Sequence, residues 1–411
     1  MMRLKMAGCS GVLVLPLMLA MAPVVMAQET AAAKAAETAE AESAKVMPEA
    51  PAAAPSRVGT WHARVVDGVE YVPLEDIRSF YKLMPMQPKG RKVAGQRMVG
   101  NGEVTLCFGP APRELRIQER LCFLSHPVQE DATGDLLVSR LDVQQVIEPV
   151  LRPTYILNRR AVRTVVIDPG HGGHDTGTVT PYVREADVTL SVATRLGSEL
   201  KKRGYEVRFT QEQNQYQSPQ GRVDKANAAP AAIFISLHLN SGRSDMHGAQ
   251  MYTVAPAGKN EKRLPGHEFS QASMALAMAL QSALVEKAET EDGGCRRAHY
   301  SPLNSVNCPS VMAELGFATH PAEGTRLNTE EYQLKLAAAL ADGVDAFARV
   351  MNPASNLQVQ KAPVVEPPPT PVKVDAPPVK AKTEPRKTQS RKKAQRRRAP
   401  ARNNKRRNRR R

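Results

Sequence analysis

Four apolar stretches constrain this 411-residue chain more than any other feature: RTVVID (163–168), AAIFISLH (231–238), GAQMYTVA (248–255) and PSVMAELGF (309–317). Their apolar residues are consecutive rather than strictly alternating. Strands of that kind are covered on both faces. Helical patterns lie between them. Residues 185–203 place Val188, Val192, Leu196 and Leu200 on one stripe, and Gly204 ends the pattern. A further strand, YEVRFT (205–210), and a short helix, GRVDKANAA (221–229), follow. Residues 267–288 read as a long Ala/Met/Leu helix. Asn328 with Glu331 is expected to cap a last helix whose core face is Leu336, Leu340, Val344 and Phe347. The alternation predicts an α/β fold, a sheet with helices on both faces, over residues 160–352. Sites in such sheets gather beyond the strand ends.

A chain of this length is long for one ordinary domain, and the flanks divide accordingly. Residues 1–27 read as an export signal. Arg3 and Lys5 precede the apolar run GVLVLPLMLAMAPVVM, and Val25-Met26-Ala27 offers a cleavage site before Gln28. The alternative is an uncleaved anchor. Residues 28–56 are rich in Ala, Glu and Pro and read as a linker. Residues 57–155 read as a small α+β domain for binding or spacing. Within it, EYVPLEDIRSFYKL (70–83) is echoed by DLLVSRLDVQQVIEPVL (135–151), with Asp76 and Asp142 opening helical patterns. Residues 353–411 turn to Pro, then to Lys and Arg, and read as a disordered basic tail. The formal net charge of +16 resides wholly in residues 371–411, which hold 18 basic and 2 acidic residues. The high charge therefore says nothing about the folded part.

The first central strand runs into VVIDPGHGGHDTGT (165–178), with four glycines, two histidines and two aspartates. Glycine lets a backbone turn tightly and approach another group closely. Histidine is the commonest metal ligand and a proton carrier near neutral pH. His171 follows this strand, Glu185 opens the next helix, His238 ends a second strand and Glu314 lies inside the last one. Two histidines and a carboxylate are a frequent catalytic zinc set that leaves a position open to water. A second carboxylate can then take and return a proton. The plainer reading of a strand-end histidine is a hydrogen-bonded structural residue. Glu314, between apolar neighbours, fits that reading less well, because a buried carboxylate needs a partner.

The ordered series DPGHGGHDTG, RE, SLHLNS, PSVMAELGF and YQLKLAAALADGV resembles the zinc-dependent N-acetylmuramoyl-L-alanine amidases of the type 3 family, over about residues 163–350. The resemblance implies Zn2+ held by His171, Glu185 and His238, with Glu314 as the catalytic glutamate. It implies cleavage of the peptidoglycan amide between N-acetylmuramic acid and the L-alanine of the stem peptide. Asp168 and Asp175 are then expected to orient the histidine or stiffen its turn. His174 is expected to be a solvated loop residue. Asn240, Arg296, Arg297 and His320 are candidates for supporting or substrate contacts. The chain departs from the family at Ala186, where a lysine is usual, and at Thr319-His320, where Ser-Asn is usual. No long inserted helix of the kind that plugs regulated members is expected between Tyr252 and residue 267. Residues 57–155 faintly resemble the small strand–helix repeat at the N-terminus of copper amine oxidases.

Export would place the protein in the periplasm or cell envelope, where disulfides persist. Beyond Cys9 the cysteines are Cys107, Cys122, Cys295 and Cys308. Neighbours in sequence suggest Cys107–Cys122 and Cys295–Cys308, although four cysteines allow three pairings. The other reading is small buried thiols. The tail would suit anionic wall polymer or lipid head groups. It would bind nucleic acid if it met any, but the compartment argues against that partner. A dependence on an activator protein stays open. So do two rivals to the amidase: a zinc peptidase cutting within the stem peptide, and a non-catalytic wall-binding protein with a relic amidase fold.

Overall fold

The computed structural model describes residues 61–352 except 88–95, 110, 157–158, 230–231 and 259–260. The expected leader (1–27), linker (28–56) and basic tail (353–411) lie outside the described residues. No described helix is long and apolar enough to cross a membrane.

The N-terminal part contributes β1 (Arg64–Val66), β2 (Val69–Pro73), α1 (Leu74–Phe80), β3 (Met84–Met86), β4 (Arg97–Gly100), β5 (Thr105–Phe108), β6 (Glu114–Ile117), β7 (Arg120–Phe123), β8 (Gln129–Glu130) and β9 (Leu136–Ser139). A helical run with a π turn at Val143–Ile147 follows as far as Leu151. The internal echo is visible in space: β2 and β9 pair antiparallel, with Val72 opposite Val138, in a four-stranded sheet ordered β1-β2-β9-β8. Each of these two strands leads into its helix. The second helix is capped by Ser139, whose hydroxyl accepts from the amide of Asp142, rather than by Asp142 itself.

The C-terminal part contributes β10 (Thr164–Pro169), α2 (Glu185–Lys202), β11 (Glu206–Phe209), α3 (Pro219–Ala228), β12 (Ile233–Asn240), β13 (Ala249–Val254), α4 (Ser270–Lys287), β14 (Asp292–Ala298), α5 (Ser301–Ser305), β15 (Ser310–Phe317), α6 (Pro321–Leu327) and α7 (Glu330–Met351). Strands β11, β10, β12 and β15 run parallel. β13 joins β15 antiparallel. Residues alternate across β10: Val165 and Ile167 pack in the cluster that includes Val188 and Leu196 of α2 and Leu340 of α7. Val166 faces Val223 and Ala226 of α3 on the other side. Helices thus cover both faces.

Three features differ from the sequence reading. β14 has no predicted counterpart, because DGGCRRA contains no apolar run. It is a strand through its backbone pairing with β13 and β7. The last helix is capped by Thr329, whose hydroxyl accepts from the amide of Tyr332, not by Asn328. The large sheet also continues past the expected domain boundary at residues 156–159. Its order is β11-β10-β12-β15-β13-β14-β7-β6-β5-β4-β3, and the described residues belong to one compact unit.

Candidate metal centre and active site

The C-terminal ends of β10, β12 and β15 deliver the chemistry to one place. β10 ends at Asp168-Pro169, and the chain then turns through Gly170 to His171. His171 adopts a left-handed backbone with φ of +62°. That conformation is uncommon for a residue with a Cβ and needs surrounding support. Arg222 and Gln211 supply it. The carbonyl of His171 accepts from Arg222 Nη2 at 2.7 Å and from Gln211 Nε2 at 2.6 Å. Both side chains also donate to the Pro169 carbonyl. The Arg222 guanidinium is fixed by Asp168, 2.7 Å away, in a buried ion pair. Asp168 also accepts from Thr210 Oγ1 at 2.5 Å and Ser236 Oγ at 2.7 Å. Four hydrogen-bonding partners thus lock the turn from behind.

Two glycines set the front. A Cβ at Gly170 would overlap the His238 imidazole, and one at Gly177 would press on His171 and Glu185. Gly177 also has φ of +61°, where glycine is unstrained. Both positions let the loop close around the three candidate ligands.

His171, Glu185 and His238 converge, each offering one ligand atom within 4.8 Å of the others. His171 Nε2 lies 3.0 Å from Glu185 Oε1, and His238 Nδ1 lies 3.1 Å from the same oxygen. The two imidazole rings sit edge to face, 4.9 Å between centroids. His171 Nδ1 contacts Asp175 Oδ1 at 2.9 Å, which leaves Nε2 to face the centre. Glu185 is the first residue of α2, where the helix dipole favours negative charge. Its other oxygen accepts from the Thr178 amide at 2.8 Å, and Oε1 accepts from the Leu239 amide at 3.0 Å. Burial works against its charge, but the two imidazoles and the Thr178 amide hold its carboxyl well below the usual range.

Glu314 sits on β15 directly across from His238 of β12 and Gln250 of β13. Its Oε2 is buried with no hydrogen-bond partner. Burial, reinforced by the nearby Glu185 carboxylate and opposed by His238 and His171, pushes its carboxyl up to about 7. A carboxyl poised there can take or give a proton near neutral pH. Beside it, the Gln250 side-chain oxygen accepts from Asn240 Nδ2 at 2.8 Å and from the Tyr252 hydroxyl at 2.9 Å.

The remaining expected residues separate. Asp175 touches the centre through His171, and Asp168 supports it through Arg222. Asn240 lies at the end of β12 within the Gln250 network. Arg296 is half-buried on β14, opposite Tyr252 of β13, with its guanidinium 3.7 Å over the Phe123 ring. The Arg297 side chain is buried and paired with Asp142 at 3.1 Å and with Gln145 at 2.9 Å, which are structural partners. His320 caps α6, its Nδ1 accepting from the Glu323 amide, and its ring neighbours His247. It is not among the three convergent ligands. His174 stands against Tyr216, 4.2 Å between ring centroids. Cys107, Cys122, Cys295 and Cys308 are all free thiols here. The pairs suggested by sequence proximity are not formed. β6 lies between the strands of Cys107 and Cys122, and Cys295 and Cys308 belong to different core clusters.

Sequence reasoning missed Arg222 and Gln211. The available signal was a lone arginine on a short helix beside an Asp-Pro-Gly turn, and its meaning depends on which carbonyls it meets.

Residues 165–346 match the family described as Amidase_3, N-acetylmuramoyl-L-alanine amidase. The chain is similar to the uncharacterized protein YqiI of Bacillus subtilis (strain 168), at 34% identity over 186 residues, covering 45% of this chain and 84% of that protein. It is 31% identical to the germination-specific N-acetylmuramoyl-L-alanine amidase of the same organism, covering 44% of this chain and 78% of that one. Against N-acetylmuramoyl-L-alanine amidase LytC, also of B. subtilis, identity is 30%, covering 45% of this chain but 36% of LytC. The crystal structure of N-acetylmuramoyl-L-alanine amidase from Clostridium difficile 630 aligns at 29% identity with a TM-score of 0.40, covering 46% of this chain and 97% of that one. With its motifs in order along that matched segment, this chain belongs to the type 3 N-acetylmuramoyl-L-alanine amidase family.

Proposed function

We propose that the protein is an exported, zinc-dependent peptidoglycan amidase that separates the stem peptide from the glycan at the bond between N-acetylmuramic acid and L-alanine. The observation that carries this reading is the pairing of a three-ligand cluster with a separate, partnerless carboxylate across the same strand ends. Two imidazole nitrogens and one carboxylate oxygen are a donor set suited to zinc, and they leave a coordination position open. The residues fit: His171 Nε2, Glu185 and His238 Nδ1 would hold the ion. Zinc there would polarise the scissile carbonyl and acidify water.

The chain's own residues account for the rest. Glu314, free of any hydrogen bond at Oε2, takes a proton from the attacking water and returns it to the leaving amide nitrogen. Asp175 fixes the His171 ring, and Arg222 with Gln211 fixes its backbone. Arg296 stands opposite Tyr252 on the neighbouring strand, and its charge suits a stem-peptide carboxylate. The basic tail would hold the enzyme to anionic wall polymer or lipid head groups.

The test is the full chain incubated with purified sacculi, with and without a chelator, read by mass spectrometry. Released stem peptides beginning with L-alanine, lost on chelation and restored by zinc, are the expected result. Peptides cut internally would replace the amidase with a peptidase. Binding without release would favour the non-catalytic wall binder.

A further inference from the structure

The long sheet has a seam. β14 meets β7 through a single register pair, Cys295 opposite Cys122. Both side chains are buried. The neighbouring Cys122 side chain, together with burial, raises the Cys295 thiol well above its ordinary range. Cys122 Sγ also touches the Met278 sulfur of α4 at 3.1 Å, so the second neighbour cannot form a bond with it under thiol oxidation to a disulfide. Adjacent strands stand ~4.8 Å apart. Disulfides span Cα separations of about 4.4–6.8 Å. Cys107 meets Gln96, and Cys308 packs with Val166 and Phe234 on the opposite face. Among the described cysteines, one pair therefore matches.

We propose that Cys122 and Cys295 form a disulfide that closes the seam between the N-terminal hairpins and the catalytic sheet. The proposal rests on the export reading for its oxidising surroundings. Both thiols give up their protons and the pair gives up two electrons as the S–S bond forms. A disulfide-class oxidant accepts them and is cleaved to two thiols. Because both sulfurs are buried in the folded chain, the exchange belongs to folding, before β7 docks on β14. The bond would sit next to Phe123, which underlies Arg296, and two residues from Arg297, which pairs with Asp142. The seam thus fixes the strand that sets Arg296 opposite Tyr252.

The experiment refolds the full chain from denaturant with oxidised glutathione, blocks free thiols by alkylation and maps peptides without reduction. The expected result is a Cys122–Cys295 cross-linked peptide that disappears on reduction, with Cys107 and Cys308 alkylated. The oxidised protein should also unfold at higher urea than the reduced one, and Cys122→Ser should lose that shift. Folded protein with both thiols alkylated, or Cys122 joined to another cysteine, would overturn the proposal. Zinc binding and sacculus cleavage measured on the same samples separate the two readings: a cross-linked chain that cuts nothing fails as an amidase but not here.

Discussion

The two ends of the large sheet differ in strand direction and in what they carry. At the β10, β12 and β15 end, parallel strands buried on both faces release their chains at one edge, and His171, His238 and Glu314 come with them. At the β3 to β7 end, antiparallel hairpins alternate buried and exposed residues, as in Glu114–Ile117. That end holds no metal-capable cluster among the described residues. Parallel strands must all finish at the same side, so a site assembled from several strand ends follows from their direction. Hairpins reverse at every turn and have no such common edge. The N-terminal part meets β14 through buried partners, Cys122 of β7 with Cys295 and Asp142 of the helical run after β9 with Arg297.

The largest expected effect separates chemistry from binding within the catalytic end. Glu314→Gln should lower the rate of sacculus cleavage by about 10²–10⁴-fold while zinc content is unchanged, because in the proposed mechanism the residue moves protons and is not a ligand. Equal loss of zinc and activity would instead make Glu314 a ligand. Next, Arg222→Lys keeps the charge beside Asp168 but gives up the planar fork that also reaches the Pro169 and His171 carbonyls. Zinc affinity should fall about tenfold, read by competition with a chelating dye, with the far-ultraviolet spectrum retained.

The contact between β14 and the N-terminal part should respond in stability rather than metal affinity. Arg297→Met leaves Asp142 buried without its cation, and a loss of about 3 kcal/mol in urea unfolding is expected. Zinc affinity should hold. A parallel collapse of zinc binding would show that the two ends are not separable. The smallest effect is a pH dependence. The Glu314 carboxyl is raised from an ordinary 4.5 to about 7, so it binds its proton more tightly folded than unfolded. Its ionisation therefore costs stability as pH rises through that interval. Between about pH 5 and about pH 8, metal-free wild type should lose at most about 3 kcal/mol relative to Glu314→Gln. An identical pH profile in the variant would place the burial elsewhere.

The catalytic end was the more legible in sequence because double burial writes itself as consecutive apolar residues. VVI, IFI and VMA each announce a central strand. The convergence of His171, Glu185 and His238 could be anticipated from strand and helix ends together with the family resemblance. β14 could not, since two glycines and two arginines carry no periodicity and the strand exists through its neighbours. The structural pairing of Arg297 could not be read from the sequence, because its partner Asp142 lies 155 residues away in the chain. Arg222 and Gln211 were hidden for a related reason: they act on backbone carbonyls, which leave no mark in the side-chain pattern. The echo that joins β2 and β9 was visible because both strands repeat the same step from apolar strand to helix.

The most direct test of the central claim is the metal itself. Full-length protein dialysed against zinc, then analysed for metal content and by X-ray absorption, should hold one equivalent bound by two imidazole nitrogens and a carboxylate oxygen. His238→Ala should lose it while remaining folded. Folded wild-type protein that retains no zinc, or zinc whose binding is indifferent to His171 and His238, would contradict the account.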